Sequence, residues 1–196
     1  MASAPPHDPI GTGVEQRGVE RSGVRVRPVT PALLAAVAAL RVTAAQQAQV
    51  GEVAVHLAQA AQDPCSEPMA ILAGDTVVGF YRLDFAARAI AGRHFGSASV
   101  TLRPFLIDAR WQGRGLGRRA LQALLDDLRA RHPRRRLLLL TVAVGNRAAL
   151  ALYRRAGFVD SGVLLAGGRG GPQHLLLRAL GGMGECAPWT TTAAAS

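Results

Sequence analysis

The chain contains no lysine: all 23 of its basic residues are arginine. That alone excludes a Walker-type nucleotide loop, whose Gly-x-x-x-x-Gly-Lys-Ser/Thr pattern needs a lysine on the phosphates. Cysteine is nearly absent too. Cys65 and Cys186 stand far apart, forming neither a disulfide framework nor a metal site, so a reducing cytoplasm is the expected compartment and no metal is expected. No run approaches the roughly 18 uncharged apolar residues of a membrane span. The opening Met1-Ala-Ser-Ala-Pro-Pro-His-Asp-Pro9 also lacks the basic and apolar regions of a signal peptide. No membrane partner is expected.

What is present is apolar and basic. A hydrophobic content of 49% in 196 residues suffices for one domain with a single core. The formal charge of +10 points first to a polyanion. The arginines are scattered, however, and with the heavy alanine and glycine usage they read as a GC-rich coding bias. Nucleic acid is not expected as a partner. One cluster stands out, Arg131-His-Pro-Arg-Arg-Arg136, between a helix and a strand. It reads as a solvated turn, with a phosphate of a bound cofactor as the functional alternative.

Residues 1–23 carry Gly, Pro and charge without apolar periodicity and read as a disordered arm; 181–196 read as a disordered tail, leaving 24–180 as the domain. Within it, Val24-Arg-Val-Arg-Pro-Val alternates as a strand. Pro31 opens a helix to about Leu40, and Gln46 to Gln62 predicts a second. Met69–Ala73 and Thr76–Phe85 form a hairpin about Gly74-Asp75. Ser99–Asp108 is a strand in which Pro104 lacks an N–H, so a bulge or a gap to its neighbour is expected. A helix follows with Leu116, Ala120, Leu121, Leu124, Leu125 and Leu128 inward. The unbroken apolar run Leu137–Val144 reads as a buried central strand. Asn146–Ala156 is a helix stopped by Gly157, and strands from Phe158 and His174 close the chain. The order β-α-α-β-β-β-α-β-α-β-β gives one α/β domain, a mixed sheet with helices on both faces.

The densest signal is Phe105-Leu-Ile-Asp-Ala-Arg-Trp-Gln-Gly-Arg-Gly-Leu-Gly-Arg-Arg-Ala-Leu121: strand, glycine turn, helix. A helix that starts there leaves its first N–H groups without intrahelical partners, aimed into the turn with the positive dipole end behind them. Glycines at 113, 115 and 117 keep Cβ atoms out of the way of a bulky anion. A dinucleotide fingerprint is excluded because Arg118 stands where the third glycine belongs. What fits is Gln-x-x-Gly-x-Gly at Gln112, Gly115 and Gly117, with Asn146 and Tyr153 two turns apart on one face of a later helix.

These motifs together resemble the GNAT acetyltransferase superfamily, and the resemblance implies its mixed, mostly antiparallel sheet and acetyl-coenzyme A as cosubstrate. It implies that Gln112, Gly113, Arg114, Gly115, Leu116 and Gly117 hold the pyrophosphate and that Asn146 contacts the pantetheine arm. It places an oxyanion N–H at about Ile107, flanked by Leu106 and Asp108, and Tyr153 beside the thioester sulfur as proton donor. A phenol with a pKa near 10 keeps its proton at neutral pH, which suits that task. Val42-Thr-Ala-Ala-Gln46, Leu57-Ala-Gln-Ala60, Val78-Gly-Phe80 and Phe105-Leu-Ile-Asp108 more loosely resemble the bacterial spermine/spermidine (diamine) branch. That branch carries glutamates where this chain has Gln59 and His174, which weakens a polycation site.

The expected activity is direct acetyl transfer to a primary amine of a small molecule, with polyamines among the candidates. A coenzyme A-binding sensor and a protein or peptide N-acetyltransferase are the alternatives. Asp84 and Asp108 are candidates for general base, with His56 and His94 weaker ones. The oligomeric state stays open, a homodimer included.

Overall fold

Several elements begin or end on a residue with a physical reason to stand there. In the computed structural model, which describes residues 23–86, 90, 95–168 and 171–181, β1 (Val24–Pro28) leads into α1 (Pro31–Ala38). Pro31 sits in the first turn of α1, where its missing N–H costs nothing. Thr43 and Gln46 then form a reciprocal capping box that starts α2 (Ala44–Val50). Here the sequence expectation of one helix over Gln46–Gln62 is corrected. Gly51 adopts φ 77°, ψ −169°, a conformation that glycine alone takes cheaply, and it ends α2. A separate α3 (Val53–Ala61) follows.

β2 (Ser66–Ala73) turns at Gly74, φ 59°, into β3 (Thr76–Asp84). β4 (Ser99–Ile107) runs through a short 3-10 turn, Ala109–Trp111, into α4 (Leu116–Arg131). β5 (Leu137–Ala143), α5 (Arg147–Arg155), β6 (Val159–Gly168) and β7 (Gly171–Ala179) complete the order. The stretches read as an arm and a tail lie, except for Gly23 and Gly181, outside the described residues, as does His94. No helix among the described residues is long and apolar enough to cross a membrane.

The seven strands make one sheet in the order β1-β2-β3-β4-β5-β7-β6, antiparallel except for the β4–β5 pair. Strand alternation feeds two cores. Met69, Ile71 and Ala73 pack with Leu116, Ala120, Leu121, Leu124, Leu125 and Leu128 of α4 on one face. Ala70, Leu72, Phe80 and Leu106 meet Leu33, Val37, Leu40 and Val53 on the other. In β5, Leu138 and Leu140 join the α4 side while Leu139 packs with Leu175 and Ile90, so this strand is covered on both faces, as its apolar run predicts.

The feature that matters for function is a parting of strands. β4 and β5 pair only at Ser99↔Leu137, Val100↔Leu138 and Thr101↔Leu139, then separate. On its other edge β4 shifts register against β3 between Tyr81 and Leu83, so Arg103 and Pro104 crowd opposite Arg82. The bulge expected at Pro104 is there. A bulge adds bend and twist, and a proline offers no N–H to a neighbour. Together they aim the end of β4 away from β5.

Candidate active site

The parted strands open onto two adjoining cavities. One, of about 230 Å³, is lined by Ile107, Trp111, Gln112, Gly113, Gly115 and Gly117. The other, of about 560 Å³, is lined by α3 residues Val55, His56 and Gln59 together with Arg103, Thr141 and Gln173. Gln49, Val50, Phe105, Asn146, Ala149 and Tyr153 line both, so the cavities meet there.

The glycine turn is held from behind. Asp108 is 0% exposed and accepts from the N–H groups of Arg41 (2.9 Å) and Arg110 (2.9 Å), and from the Arg110 guanidinium at 2.9 and 2.8 Å. Burial by itself would raise the Asp108 pKa. The Arg110 side chain and the two N–H donors outweigh it and hold the carboxyl below its ordinary value. Gln112 folds back, its Nε2 donating to the Ile107 carbonyl at 2.6 Å, and its amide meets that of Gln46 at 3.1 Å. Gly113 (φ 75°) and Gly115 (φ 71°) take left-handed conformations, and no atom lies within 4 Å of where a Cβ would stand on either. Gly115 is the N-cap of α4 and brings no capping side chain. The first N–H groups of a 16-residue helix thus face open space across a Cβ-free turn. That arrangement fits the diphosphate of coenzyme A.

Strand parity decides which backbone donors face the cleft. Asp108 N–H bonds to the Val78 carbonyl at 2.9 Å, toward β3. Antiparallel alternation therefore sends the Leu106 groups toward β3 as well and turns the Ile107 N–H to the opposite edge, where β5 has left. Two contacts agree. The Leu106 carbonyl lies 2.5 Å from the Cβ position of Gly79 on β3, and the Ile107 carbonyl is met by Gln112 from the cleft side. Of the three residues expected around the oxyanion donor, Ile107 alone offers its N–H to the cleft. Leu106 lines the smaller cavity, and Asp108 lines neither. Arg114 stacks its guanidinium over the Trp111 ring at 5.2 Å and lines neither of the two cavities.

Asn146 caps α5, accepting from Ala149 N–H at 3.1 Å, and its Nδ2 donates to Gln49 at 2.7 Å across the junction. Tyr153 is 6% exposed and packs edge-on against Phe105 and Phe158 at 6.4 and 5.4 Å. Burial pushes its phenol well above the ordinary value, and no group among the described residues hydrogen-bonds its hydroxyl. The proton is fixed on the oxygen and uncommitted.

The two aspartates considered as general base do not reach the cavities. Asp84 accepts from Ala86 N–H at 3.0 Å at the end of β3, and Asp108 is committed as above. His56 lines the larger cavity with Nε2 at 2.5 Å from the Val50 carbonyl, a bond only a protonated Nε2 can donate. Gln59 accepts from Arg82 at 3.1 Å, and His174 pairs with Asp160 at 2.8 Å outside both cavities. Glu52 and Arg103, which no motif singles out, line the larger cavity. The arginine cluster lies past the C-terminal end of α4, about 24 Å along the helix from the glycine turn, too far for a cofactor phosphate. Arg131 pairs with Asp127 and Glu67, and Arg135 stacks on Phe85.

The sequence profile of the acetyltransferase (GNAT) family matches residues 36–158, more than half of the chain. Over 141 residues the chain is 29% identical to a Bacillus subtilis spermine/spermidine N(1)-acetyltransferase, covering 72% of this chain and 91% of that one. Over 57 residues it is 46% identical to the Mycobacterium tuberculosis N-alpha-acetyltransferase RimI, covering 29% of this chain and 33% of that one. Its fold is similar to the Vibrio cholerae spermidine N-acetyltransferase in complex with CoA and spermine (TM-score 0.61, 18% identity, 80% of this chain, 95% of that one). With a profile match that runs from α1 through α5, the chain belongs to the acetyltransferase (GNAT) family and is an N-acetyltransferase with acetyl-coenzyme A as its cosubstrate.

Proposed function

We propose that the enzyme moves an acetyl group directly from acetyl-coenzyme A to a primary amine of a small molecule. The observation that carries this is Tyr153: a buried, protonated, uncommitted hydroxyl where the two cavities meet. The Gly113–Gly117 turn and the start of α4 hold the donor's diphosphate, and Asn146 and the open edge of β4 take the pantetheine amides. The donor supplies a thioester carbonyl. Ile107 N–H stabilises the charge that builds on the acyl oxygen as the amine adds. The acceptor enters as an ammonium and loses a proton to water, which reaches the larger cavity past its exposed rim. Its nitrogen forms the bond to the acyl carbon and gives up a second proton to water, the carbon–sulfur bond breaks, and Tyr153 passes its proton to the leaving thiolate before a solvent proton restores it. Amide, thiol and one proton are the products.

A cavity of about 560 Å³ is the size of a small-molecule site, which favours a small acceptor over a protein chain. Relatives named for spermine and spermidine put polyamines on the list of acceptors to try. The test is thiol release from acetyl-coenzyme A with a panel of amines, run beside Tyr153→Phe. Turnover that collapses in the variant while coenzyme A still binds supports the reading. Tight coenzyme A binding with no turnover on any amine would instead indicate a sensor.

A further inference from the structure

We infer that the acceptor is an amine that also carries a carboxylate, an amino acid-like molecule, rather than a polycation; this rests on the N-acetyltransferase reading above. The larger cavity holds one acidic side chain among its lining residues, Glu52, and one guanidinium, Arg103. They come from different elements. Glu52 stands at the N-cap of α3, and Arg103 sits in the β4 bulge, where the extra residue of the register shift lies at the lip of the parted strands. Both are exposed, and neither makes an ion pair with the other or with any other described residue. Two opposite charges that face one cavity without neutralising each other suit a ligand bearing both signs, an ammonium for Glu52 and a carboxylate for Arg103. Arginine's planar fork matches a carboxylate in particular.

A polyamine finds little here. It needs a carboxylate for each ammonium beyond the reacting one, and the one carboxylate on this cavity wall is offset by the one guanidinium. The nearby acids are spent elsewhere: Asp108 on Arg110 and Asp160 on His174. The His56 ring, held by the Val50 carbonyl, brings no negative charge, and the chain as a whole carries +10. The positions at which polyamine relatives were expected to carry glutamate are occupied by Gln59, bound to Arg82, and by His174.

The experiment compares acceptors that share a carbon chain and differ by one carboxylate: ornithine against 1,4-diaminobutane, and lysine against 1,5-diaminopentane. Thiol release is measured with the full-length wild type and with Arg103→Glu and Glu52→Gln. The expected result is a kcat/KM at least tenfold higher for each amino acid than for its diamine. Arg103→Glu should invert the order, lowering the amino acid at least tenfold and raising the diamine severalfold, while Glu52→Gln lowers both acceptors. Calorimetric affinity for coenzyme A and the thermal midpoint verify that each variant is folded. A wild type that prefers the diamines, or an Arg103→Glu variant that lowers both members of a pair equally, overturns the proposal while leaving acetyl transfer intact. No turnover on any amine, with coenzyme A bound, overturns the transfer reading itself and this proposal with it.

Discussion

The two cavities that meet at Tyr153 are built by different means. The smaller takes one wall from a single stretch, Ile107 to Gly117, whose free donors are main-chain N–H groups, and is completed by residues of α2 and α5. The larger draws side chains from α2, α3, β4, β5, α5 and β7, and its character is set by Glu52 and Arg103. A backbone site depends on conformation and on missing Cβ atoms, so it can serve one fixed ligand through any change of acceptor. A side-chain site changes ligand with a single substitution.

The largest effect is expected where the two regions touch. Tyr153→Phe should lower kcat about 10²- to 10⁴-fold in single-turnover assays, with every acceptor affected alike. Because burial raises the phenol pKa, the wild-type kcat/KM should climb with pH as the acceptor ammonium deprotonates. It should show no falling limb from tyrosine up to about pH 10. A falling limb near pH 8 would remove Tyr153 as the proton donor.

The comparison is sharpened next at the donor end. Gly115→Ala forces a Cβ onto a left-handed residue at a cost of about 1–2 kcal/mol and places it on the face offered to the diphosphate. Coenzyme A affinity by calorimetry should drop roughly tenfold or more, an expected outcome of about that strain, with the ranking of acceptors untouched. A changed ranking would mean that the two cavities are not separable.

Asp108→Asn should lower the thermal midpoint through a loss of about 2 kcal/mol, because the buried oxygens serve four donors and an amide cannot accept at both positions. The sign with pH is definite. A carboxyl held below its unfolded value stabilises the fold fully above about pH 4 and ceases to as pH falls through the lowered value. The variant should therefore lose stability less steeply in acid than the wild type. The smallest effect belongs to Asn146→Ala, about 1 kcal/mol from the lost cap, read as a shift in the urea midpoint.

What could be read without coordinates divides along the same line. The six inward positions of α4 follow from a 3.6-residue period within one segment, and all six are buried. The bulge at Pro104 follows from one missing N–H. The break at Gly51 is not legible in the sequence, although the glycine is, because the apolar spacing on both sides suits one helix and only the observed positive φ reveals the stop. Asp108 looked free to act as a base; its burial under Arg110 and the Arg41 N–H needs contacts 67 residues apart. Glu52 and Arg103 carry no motif, since 51 positions separate two charges that share a cavity only once β4 has bent away from β5.

By itself the sequence determined the glycine turn, the helix behind it and the tyrosine two turns from its capping asparagine, because each depends on neighbours within a few residues and on backbone geometry. Tertiary structure alone decided which N–H of β4 faces the gap, which carboxylates are spent and which charges line the larger cavity. Those are properties of strand parity and of burial, and both exist only after distant segments have been packed against one another.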